Sequence, residues 1–373
     1  MGVALGLAAR GLGRVWPNPS VGCVLVSPDG RVVGRGWTQP GGRPHAEREA
    51  LDQAGPLARG ATAHVTLEPC SHYGQTPPCA DALIDAGVFR VVVALIDPDE
   101  RVSGQGLARL RAAGIEVRTG VREAEARDLN QGFLLCRIKG RPLVTLKTAT
   151  SLDGRIATAT GHSQWITGPE ARQRGHRLRA THDAIAVGVG TVLADDPTLT
   201  CRLPGLEDRS PVRVVFDSHA RIPVNGALVR SADRIPLWVV TGPEASVHRR
   251  SNLEKKGARV LSVAGDDVGR PRVDAALSAL ADQGVTRLLV EGGGDLAGAF
   301  LAAGLVDHLV WFRAPLVIGS DGKGAIAAFG VDHLGDSAQF SARARCVAGG
   351  DLVEHFAASA PLSPIEFSLS ETE

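Results

Sequence analysis

The stretch Glu68-Pro69-Cys70-Ser71-His72-Tyr73-Gly74-Gln75-Thr76-Pro77-Pro78-Cys79, preceded upstream by His45-Ala46-Glu47, decides how the N-terminal third of the chain is interpreted. It brings one imidazole, two thiols and one carboxylate into a short span of sequence. Zinc prefers nitrogen and thiolate ligands in a tetrahedron, and a catalytic zinc site leaves its fourth position for water. The stretch therefore predicts a Zn²⁺ site whose ligands are His45, Cys70 and Cys79.

Glu47 adds the group that a hydrolytic reaction needs. Water bound to zinc ionises near neutral pH, and a carboxylate that is not itself a ligand can carry the protons in zinc deaminases that act on nucleobase-like rings. We therefore expect hydrolytic loss of an amino group, with Glu47 as the catalytic residue. A lone histidine or cysteine is more often an ordinary buried residue, but this combination favours the metal. The generic signature has two residues between its cysteines, whereas eight separate Cys70 from Cys79.

The composition limits the other possibilities. The chain has 373 residues, of which 44% are hydrophobic and 22% charged, so it is long enough for two globular domains. A net charge of +1 argues against a broad nucleic-acid surface. The sequence has no apolar run that approaches a membrane span, and six cysteines in a chain of this length do not indicate a disulfide framework. These features predict a cytoplasmic protein without nucleic-acid or membrane partners.

Alternation of strands and helices predicts an α/β fold in two domains, residues 1–141 and 142–357, followed by a flexible tail at 358–373. The strands of the first domain are predicted at 21–26, 31–36, 63–67, 88–95 and 115–118, and its helices at 2–14, 45–54, 78–86 and 106–113. The two helices next to the zinc ligands are expected on one sheet face. The second domain has predicted strands at 143–149, 183–189, 212–217, 237–241, 260–263, 287–291 and 308–316, and predicted helices at 168–179, 244–255, 272–283 and 295–303.

The long cysteine loop and the segment 17–24 (Pro17-Asn18-Pro19-Ser20-Val21-Gly22-Cys23-Val24) resemble the deaminase half of the bifunctional riboflavin biosynthesis proteins. Four segments of the second domain, at 146–157, 163–167, 187–200 and 291–294, resemble the reductase half of the same family. The resemblance covers about residues 3–356. It implies a cytidine-deaminase-like three-layer domain and a dihydrofolate-reductase-like domain. It also implies Zn²⁺ and NADPH as cofactors, a pyrimidine ribosyl phosphate as substrate, and a homo-oligomer, either a dimer or a tetramer.

The resemblance further implies functional residues by position. The expected NADPH-binding residues are Ala149, Trp165, Thr191, Asp195, Ser218, Gly293, Gly294, Asp295, Leu296, Ala297, Gly298 and Ala299, of which Ser218 rests on a looser alignment. The expected substrate-binding residues are Asn18, His72, Ser163, Arg179, Leu199, Arg202 and Glu291.

Several of these residues also have simpler interpretations. The glycines at 292–294 follow an apolar strand and precede a helix, which suits phosphate binding by backbone N–H groups but also suits a tight turn or a degenerate dinucleotide fingerprint. Arg179 and Arg202 are either a clamp on a ribose phosphate or solvated surface residues. Lys147, one of only five lysines, either anchors the floor of an active site or pairs with an aspartate.

Two residues depart from the family pattern at expected substrate contacts. Thr38 replaces a frequent histidine, and Gln75 replaces a frequent lysine or arginine. If Gln75 weakens the phosphate contact, Gln75→Lys should lower KM. Two other functions stay open at this point: a zinc deaminase of another nucleobase, and a non-catalytic paralogue that binds zinc or nucleotide. An intact Glu47 argues against the second of these, because a structural zinc site has no use for that carboxylate.

Overall fold

The computed structural model describes residues 1–74, 77–97 and 103–359, with one large sheet in each half of the chain. Gln75 and the tail residues 360–373 lie outside the described residues. None of the described helices combines the length and the hydropathy that a membrane crossing needs.

The N-terminal sheet has five strands in the order β2-β1-β3-β4-β5. β1 pairs antiparallel with β2 and with β3, and β3, β4 and β5 run parallel. All five predicted strands are confirmed, with ends that shift by one to two residues. The strands are β1 (Gly22–Val26), β2 (Val32–Trp37), β3 (Thr62–Val65), β4 (Arg90–Val93) and β5 (Glu116–Arg118), and the helices are α1 (Gly2–Ala8), α2 (Ala46–Ala54), α3 (Cys79–Asp85), α4 (Gln105–Ala112), α5 (Glu123–Leu129) and α6 (Gln131–Lys139).

Helices cover both faces of this sheet. Alternate residues of β1 point to opposite faces. Cys23 and Leu25 share a buried cluster with Ala50 of α2, whereas Val24 shares one with Ala4 of α1. α3 lies against α2, which confirms that the two helices next to the zinc ligands share one face. The sheet therefore lies between two helical layers, which is the expected three-layer domain.

Two glycines of β2 allow α2 to lie close to the β1–β2 hairpin. A Cβ on Gly36 would lie 2.1 Å from the carbonyl oxygen of Ala46, and a Cβ on Gly34 would lie 2.1 Å from that of Ala50. Real Cβ atoms do not approach backbone this closely. Since His45 and Glu47 sit at the start of α2, these glycines set the position of both side chains relative to the sheet.

α5 and α6 have no counterpart among the predicted elements. α5 buries only Ala126 among seven mostly charged residues, so its hydrophobic period is too weak to indicate a helix. α6 ends at Lys139, where Gly140 takes a φ of 63°, a conformation that glycine adopts without strain. The predicted domain boundary at 141/142 falls in the short connection between α6 and the next strand.

The second sheet has nine strands in the order β11-β10-β9-β8-β12-β6-β13-β16-β15, and a small ladder joins β7 to β14. The strands are β6 (Leu143–Thr150), β7 (Arg155–Ala157), β8 (Ala184–Gly188), β9 (Val212–Phe216), β10 (Leu237–Thr241), β11 (Arg259–Ser262), β12 (Arg287–Val290), β13 (His308–Arg313), β14 (Lys323–Gly324), β15 (Phe340–Ala348) and β16 (Asp351–Ala358). The helices are α7 (Pro169–Ala180), α8 (Val189–Asp195), α9 (Ala227–Arg230), α10 (Val247–Glu254), α11 (Val273–Asp282) and α12 (Gly294–Ala302).

The seven predicted strands of this half are all confirmed. Every residue of β9 and β10 is buried, as expected for parallel strands that are covered on both faces. β15 and β16 were not predicted: β15 is exposed along almost its whole length and lacks a clear alternation. Ala358 pairs with Phe340, so β16 extends into the predicted tail.

Candidate active sites

The three predicted zinc ligands converge at the N-termini of α2 and α3. His45 is the N-cap of α2 and Cys79 is the first residue of α3, while Cys70 lies in the loop after β3. His45 Nδ1 is 3.3 Å from Cys79 Sγ and 3.7 Å from Cys70 Sγ, and the three ligand atoms all lie within 4.8 Å of one another.

This donor set fits zinc. Zinc–nitrogen bonds of about 2.0–2.1 Å and zinc–sulfur bonds of about 2.3 Å would hold nitrogen and sulfur roughly 3.6 Å apart in a tetrahedron, and the two observed separations lie on either side of this value. The backbone N–H of Cys79 donates to Cys70 Sγ over 3.3 Å. Hydrogen bonds from the Cys79 thiol and from the His45 ring lower the pKa of Cys70 to about 4, so this thiol is ready to bind metal as a thiolate.

Glu47 lies beside the three metal ligands but is not itself one of them. It is the second residue of α2, it is only 4% exposed, and it lines the same cavity as His45 and Cys70. Burial raises the pKa of Glu47 to about 7. A buried carboxyl group at this position can hold or release a proton near neutral pH, as a general acid–base group must.

The cavity beside Glu47 brings together residues that are distant in sequence. Asn18 and His72, both expected to bind substrate, line it, as does Thr38. A Cβ on Gly42 would lie 1.9 Å from Asn18 Nδ2, so the absence of a side chain at Gly42 makes room for the asparagine. Thr38 Oγ1 accepts a hydrogen bond from the Val21 N–H over 2.9 Å, so this residue also joins β2 to β1.

The other residues that line this cavity include four that sequence reasoning did not single out: Arg43, Asp97, Phe133 and Arg137. Arg43 is two residues before His45, and its Nη2 lies 3.3 Å from where a Cβ on Gly74 would be. Among these four, Arg43 has a signal in the sequence, because it lies two residues before the metal ligand His45.

Glu68 fixes the backbone of the segment that contains Asp97, a residue that lines the deaminase cavity. Its carboxylate accepts the backbone N–H groups of Asp97, Gly104, Gly106 and Leu107 at 3.0–3.3 Å. Burial raises the pKa of Glu68, and these four hydrogen bonds oppose the shift. The residue just before Pro69-Cys70 therefore ties the metal loop to the chain that follows β4.

The reductase half contains a cavity of about 300 Å³. It lies at the ends of β6 and β12, beside α7, α8 and the start of α12. Many residues expected to bind cofactor or substrate line it, namely Ala149, Ser163, Trp165, Arg179, Thr191, Asp195, Arg202, Glu291 and Gly293.

The other expected residues of this half lie elsewhere. Gly294, Asp295, Leu296, Ala297, Gly298 and Ala299 form the first turns of α12, Leu199 is buried in the core, and Ser218 follows β9. Leu296 and Ala297 also belong to a core cluster, and a Cβ on Gly298 would lie 3.0 Å from the Ala327 carbonyl oxygen. Leu296 and Ala297 pack the helix against its neighbours, whereas Asp295 and Ala299 are exposed. The backbone N–H groups at the helix start are the groups that can bind an anion.

Glu291 is the electrostatic centre of the reductase cavity. Both its oxygens accept from Arg179, each at 2.9 Å, and Lys147 Nζ lies 3.7 Å away. Burial alone would raise the pKa of Glu291, but the charges of Arg179 and Lys147 outweigh it and lower the pKa to about 2. Lys147 therefore pairs with a carboxylate at the cavity floor, although with a glutamate rather than with the expected aspartate.

Arg179 and Arg202, the two arginines expected to clamp a ribose phosphate, have different surroundings. Arg179 is committed to Glu291 and to the Thr200 carbonyl oxygen, whereas Arg202 is exposed and donates to Thr198 Oγ1 over 3.0 Å. The His176 imidazole and the Phe312 ring, which sequence reasoning missed, also line the cavity. Burial, together with Arg179 and Arg202, lowers the pKa of His176 to about 4, so this ring is neutral at pH 7.

Comparison with known proteins agrees with both halves. Residues 1–95 match the cytidine and deoxycytidylate deaminase zinc-binding region, and residues 142–345 match the RibD C-terminal domain. The riboflavin biosynthesis protein RibD of Escherichia coli (strain K12) is 43% identical over 367 residues, which cover 95% of this chain and 97% of that protein. RibD of Aquifex aeolicus (strain VF5) is 44% identical over 319 residues, covering 86% of this chain and 87% of that protein.

Solved structures give the same result over the full length. Acinetobacter baumannii RibD superposes with a TM-score of 0.87 at 38% identity, covering 96% of this chain and 98% of that chain. The Thermotoga maritima diaminohydroxyphosphoribosylaminopyrimidine deaminase/5-amino-6-(5-phosphoribosylamino)uracil reductase superposes with a TM-score of 0.83 at 35% identity, covering 96% and 97%. The chain therefore belongs to the RibD family of bifunctional deaminase and reductase enzymes of riboflavin biosynthesis.

Proposed function

We propose that the N-terminal domain removes an amino group from 2,5-diamino-6-ribosylamino-4(3H)-pyrimidinone 5′-phosphate by hydrolysis, and that the C-terminal domain then reduces the ribosyl group of the product to ribityl with NADPH. The observation that carries the first activity is the convergence of His45, Cys70 and Cys79 beside the buried carboxyl group of Glu47. The second activity is supported by a separate cavity at the N-terminus of α12, lined by Glu291, Lys147 and Arg202.

In the deaminase site, His45, Cys70 and Cys79 would hold zinc. Bound zinc would supply the acidity that allows water to ionise near neutral pH. Glu47 would accept a proton from the attacking water and donate one to the departing amine, a role that suits a buried carboxyl whose pKa lies near 7. Asn18 and His72 on the cavity wall orient the pyrimidine ring and its substituents.

In the reductase site, NADPH supplies the hydride. The free N–H groups at the start of α12 bind cofactor phosphate, because the N-terminus of a helix attracts anions. Arg202 binds the phosphate of the substrate, while Arg179 acts through Glu291 by holding its carboxylate in place. Positioning of the ribosyl carbon against the nicotinamide ring is the main contribution of the protein to hydride transfer.

The first experiment follows ammonia release and nicotinamide absorbance with the diaminopyrimidine ribosyl phosphate. We expect ammonia release without NADPH, and NADPH oxidation only after deamination. Ammonia release without NADPH oxidation would leave the deaminase proposal standing and reject the reductase proposal. Absence of both signals in protein with bound zinc would reject the proposed substrate.

Glu47→Gln tests the proton-carrying role separately from the metal site. Removing a general acid–base group typically lowers the rate by about 10²- to 10⁴-fold, so deamination should fall by at least that much. Zinc content, measured by atomic absorption, should stay at the wild-type level, and reduction of purified deaminated product should be unchanged. Retention of deaminase activity would contradict the role of Glu47, and loss of zinc would show that its role is structural.

We also propose a cytoplasmic homo-oligomer. All six cysteines are free thiols, as expected in a reducing compartment. The long exposed edge strand β15 is a surface that native proteins commonly cover. Light scattering coupled to size exclusion would test the assembly, and a monomer at micromolar concentration would reject it.

A further inference from the structure

A second cavity of the reductase domain lies between α7 and one face of the nine-stranded sheet. The strand registers place Thr145 opposite His308, Val310 opposite His355, and His355 opposite Ala344. Side chains alternate along each strand, so these residues share the sheet face that α7 covers. The volume between them is about 320 Å³, at the lower end of the range of about 300–1,000 Å³ for small-molecule sites.

This basic cavity, as we call it, is unusual for its charge. Three arginines and three histidines line it, and none of its lining residues within the described parts of the chain is an aspartate or a glutamate. The chain as a whole carries a net charge of only +1, so the positive charge is concentrated at this place. The residues are Arg174 and Arg177 of α7, Arg287 of β12, and His182, His308 and His355.

No arginine of the basic cavity forms a side-chain ion pair with a described carboxylate, although the buried Asp183 accepts the Arg287 backbone N–H and its charge favours the protonated form of Arg287. None of the ion pairs between described residues includes Arg174, Arg177 or Arg287. Arg287 Nε is buried and has no hydrogen-bond partner among the described residues. Asp183 balances part of the charge of Arg287, but a buried donor without an acceptor is costly, and a bound anion would give Nε that acceptor.

The histidines contribute hydrogen-bonding groups rather than charge. His182 Nδ1 lies 2.7 Å from the Leu178 carbonyl oxygen and must donate to it, so Nε2 accepts from Thr145 Oγ1 at 2.9 Å. Burial and the nearby Arg287 lower the pKa of His182 to about 3. Burial and the adjacent His355 ring lower the pKa of His308 to about 4. The fixed charge of the cavity therefore comes from its arginines, which remain protonated at any physiological pH.

We propose that the basic cavity binds a small phosphate-bearing anion. Guanidinium groups pair with phosphate oxygens through parallel hydrogen bonds, and three of them face one volume that a phosphate monoester can enter. Arg174 and Arg177 lie on exposed turns of α7 and form the mouth, while Arg287 lies deeper.

The basic cavity is distinct from the reductase cavity, although the two are neighbours. Phe312 lines both, and α7 presents Gly175, His176 and Arg179 to the reductase cavity but Arg174 and Arg177 to the basic cavity. An anion in the basic cavity would thus contact the helix that holds Arg179 against Glu291. This site is separate from the phosphate contacts of the proposed reaction and does not depend on them.

Isothermal titration of the zinc-loaded full chain with inorganic phosphate, in saturating NADP⁺, tests the proposal. The test variant is Arg174→Gln/Arg177→Gln, whose positions are exposed on α7. The matched control is Arg111→Gln/Arg249→Gln, which removes the same charge from exposed positions on other helices. Loss of charge-assisted hydrogen bonds should weaken phosphate binding by about tenfold or more in the test variant, and the control should bind like the wild type.

Three outcomes would overturn the proposal. The first is equal phosphate affinity in the test variant and the wild type. The second is a wild-type protein that binds no phosphate once NADP⁺ is present, as expected if carboxylates of another subunit fill the cavity. The third is displacement of all bound phosphate by the pyrimidine substrate, which would assign the anion to a catalytic site. Both enzymatic activities should be unchanged in the test variant, and phosphate should still bind to a Glu47→Gln protein.

Discussion

Arg43 lies at the edge of the deaminase cavity, beside the loop that carries His72. The proposed substrate brings a phosphate to this cavity, and Gln75 supplies no charge that could bind it. Arg43 and Arg137 are the two cationic side chains other than the histidines that line the cavity within the described residues. Arg137 lies over the Phe133 ring, whereas Arg43 faces Gly74 of the loop that carries His72, so we expect Arg43 to bind the phosphate.

Arg43→Gln should raise KM for the phosphorylated substrate by about tenfold or more, because a charge-assisted hydrogen bond to phosphate is lost. The value of kcat should change little, and KM for the dephosphorylated nucleoside should not change. Steady-state ammonia release gives all three quantities. Arg48→Gln is the matched control, since Arg48 is exposed on α2 and pairs with Asp52. An equal rise in KM for both substrates would contradict a role in phosphate binding.

Ionisation of Glu291 in the reductase cavity should make the free energy of unfolding depend on pH. Its pKa falls from the usual 4.5 to about 2 in the folded protein, which corresponds to roughly 3 kcal/mol of stabilisation at neutral pH. Because the folded pKa is depressed, this contribution is complete above pH 4.5 and is lost as pH falls towards 2. The free energy of unfolding of the wild type should exceed that of Glu291→Gln at pH 7, and the difference should shrink between pH 5 and 3.5. Urea unfolding at several pH values measures it, and a difference independent of pH would contradict the argument.

Local spacing is the reason that His45, Glu47, Cys70 and Cys79 could be predicted from the sequence. Each lies in a short segment whose neighbours restrict its chemistry. The cavity walls could not be predicted in this way, because Arg43, Phe133 and Asp97 come from segments that only the folded chain brings together. Whether each carried-over residue of the reductase half contacts a ligand stays a prediction.

At the level of elements, the position of α2 depends on close contact with the hairpin. Gly36→Ala would place a methyl group 2.1 Å from the Ala46 carbonyl oxygen, so α2 must move away from β2. Forced repacking of this kind costs about 1–3 kcal/mol, and movement of His45 should weaken zinc binding by about tenfold for every 1.4 kcal/mol that falls on the metal site. Thermal unfolding and competition with a chelator measure the two effects.

Gly6→Ala is the matched control, because nothing lies within 4 Å of a Cβ at this position of α1. An alanine in a helix interior is more favourable than glycine by up to about 1 kcal/mol, so this variant should keep its zinc affinity and unfold at an equal or higher temperature. Similar losses of zinc in both glycine variants would show that the contact between α2 and β2 does not position the ligand.

Most of the strands that the sequence predicted contain a run of buried apolar residues, although β5 and β11 do not. β8, β9, β10 and β12 are buried on both faces, and their mostly apolar residues predict strands. α5 and β15 lack such runs, because α5 buries a single residue and β15 lies at the edge of the sheet. Elements that depend on tertiary contacts for their stability show a weaker hydrophobic pattern in the sequence.

At the scale of the whole molecule, side chains of the two domains contact one another directly. The Trp16 and Trp238 rings meet edge to face with centroids 6.5 Å apart, and Cys136 Sγ donates to the Val285 carbonyl oxygen over 3.4 Å. Arg14 pairs with Asp208 at 3.0 Å, but this pair is exposed and contributes little. The deaminase and reductase cavities have no lining residue in common.

Since each catalytic cavity is built by one domain, the deaminated intermediate should leave one site and reach the other through solvent. An equimolar mixture of Glu47→Gln and Glu291→Gln proteins, each with one damaged site, should therefore restore NADPH oxidation from the diaminopyrimidine substrate after a lag. The lag should shorten in proportion as the concentration of the reductase-competent protein rises, because the intermediate must accumulate before it is captured. Stopped-flow absorbance at the nicotinamide band follows this directly. A wild-type protein without a lag, at concentrations where the mixture shows one, would instead require direct transfer between the two sites of one assembly.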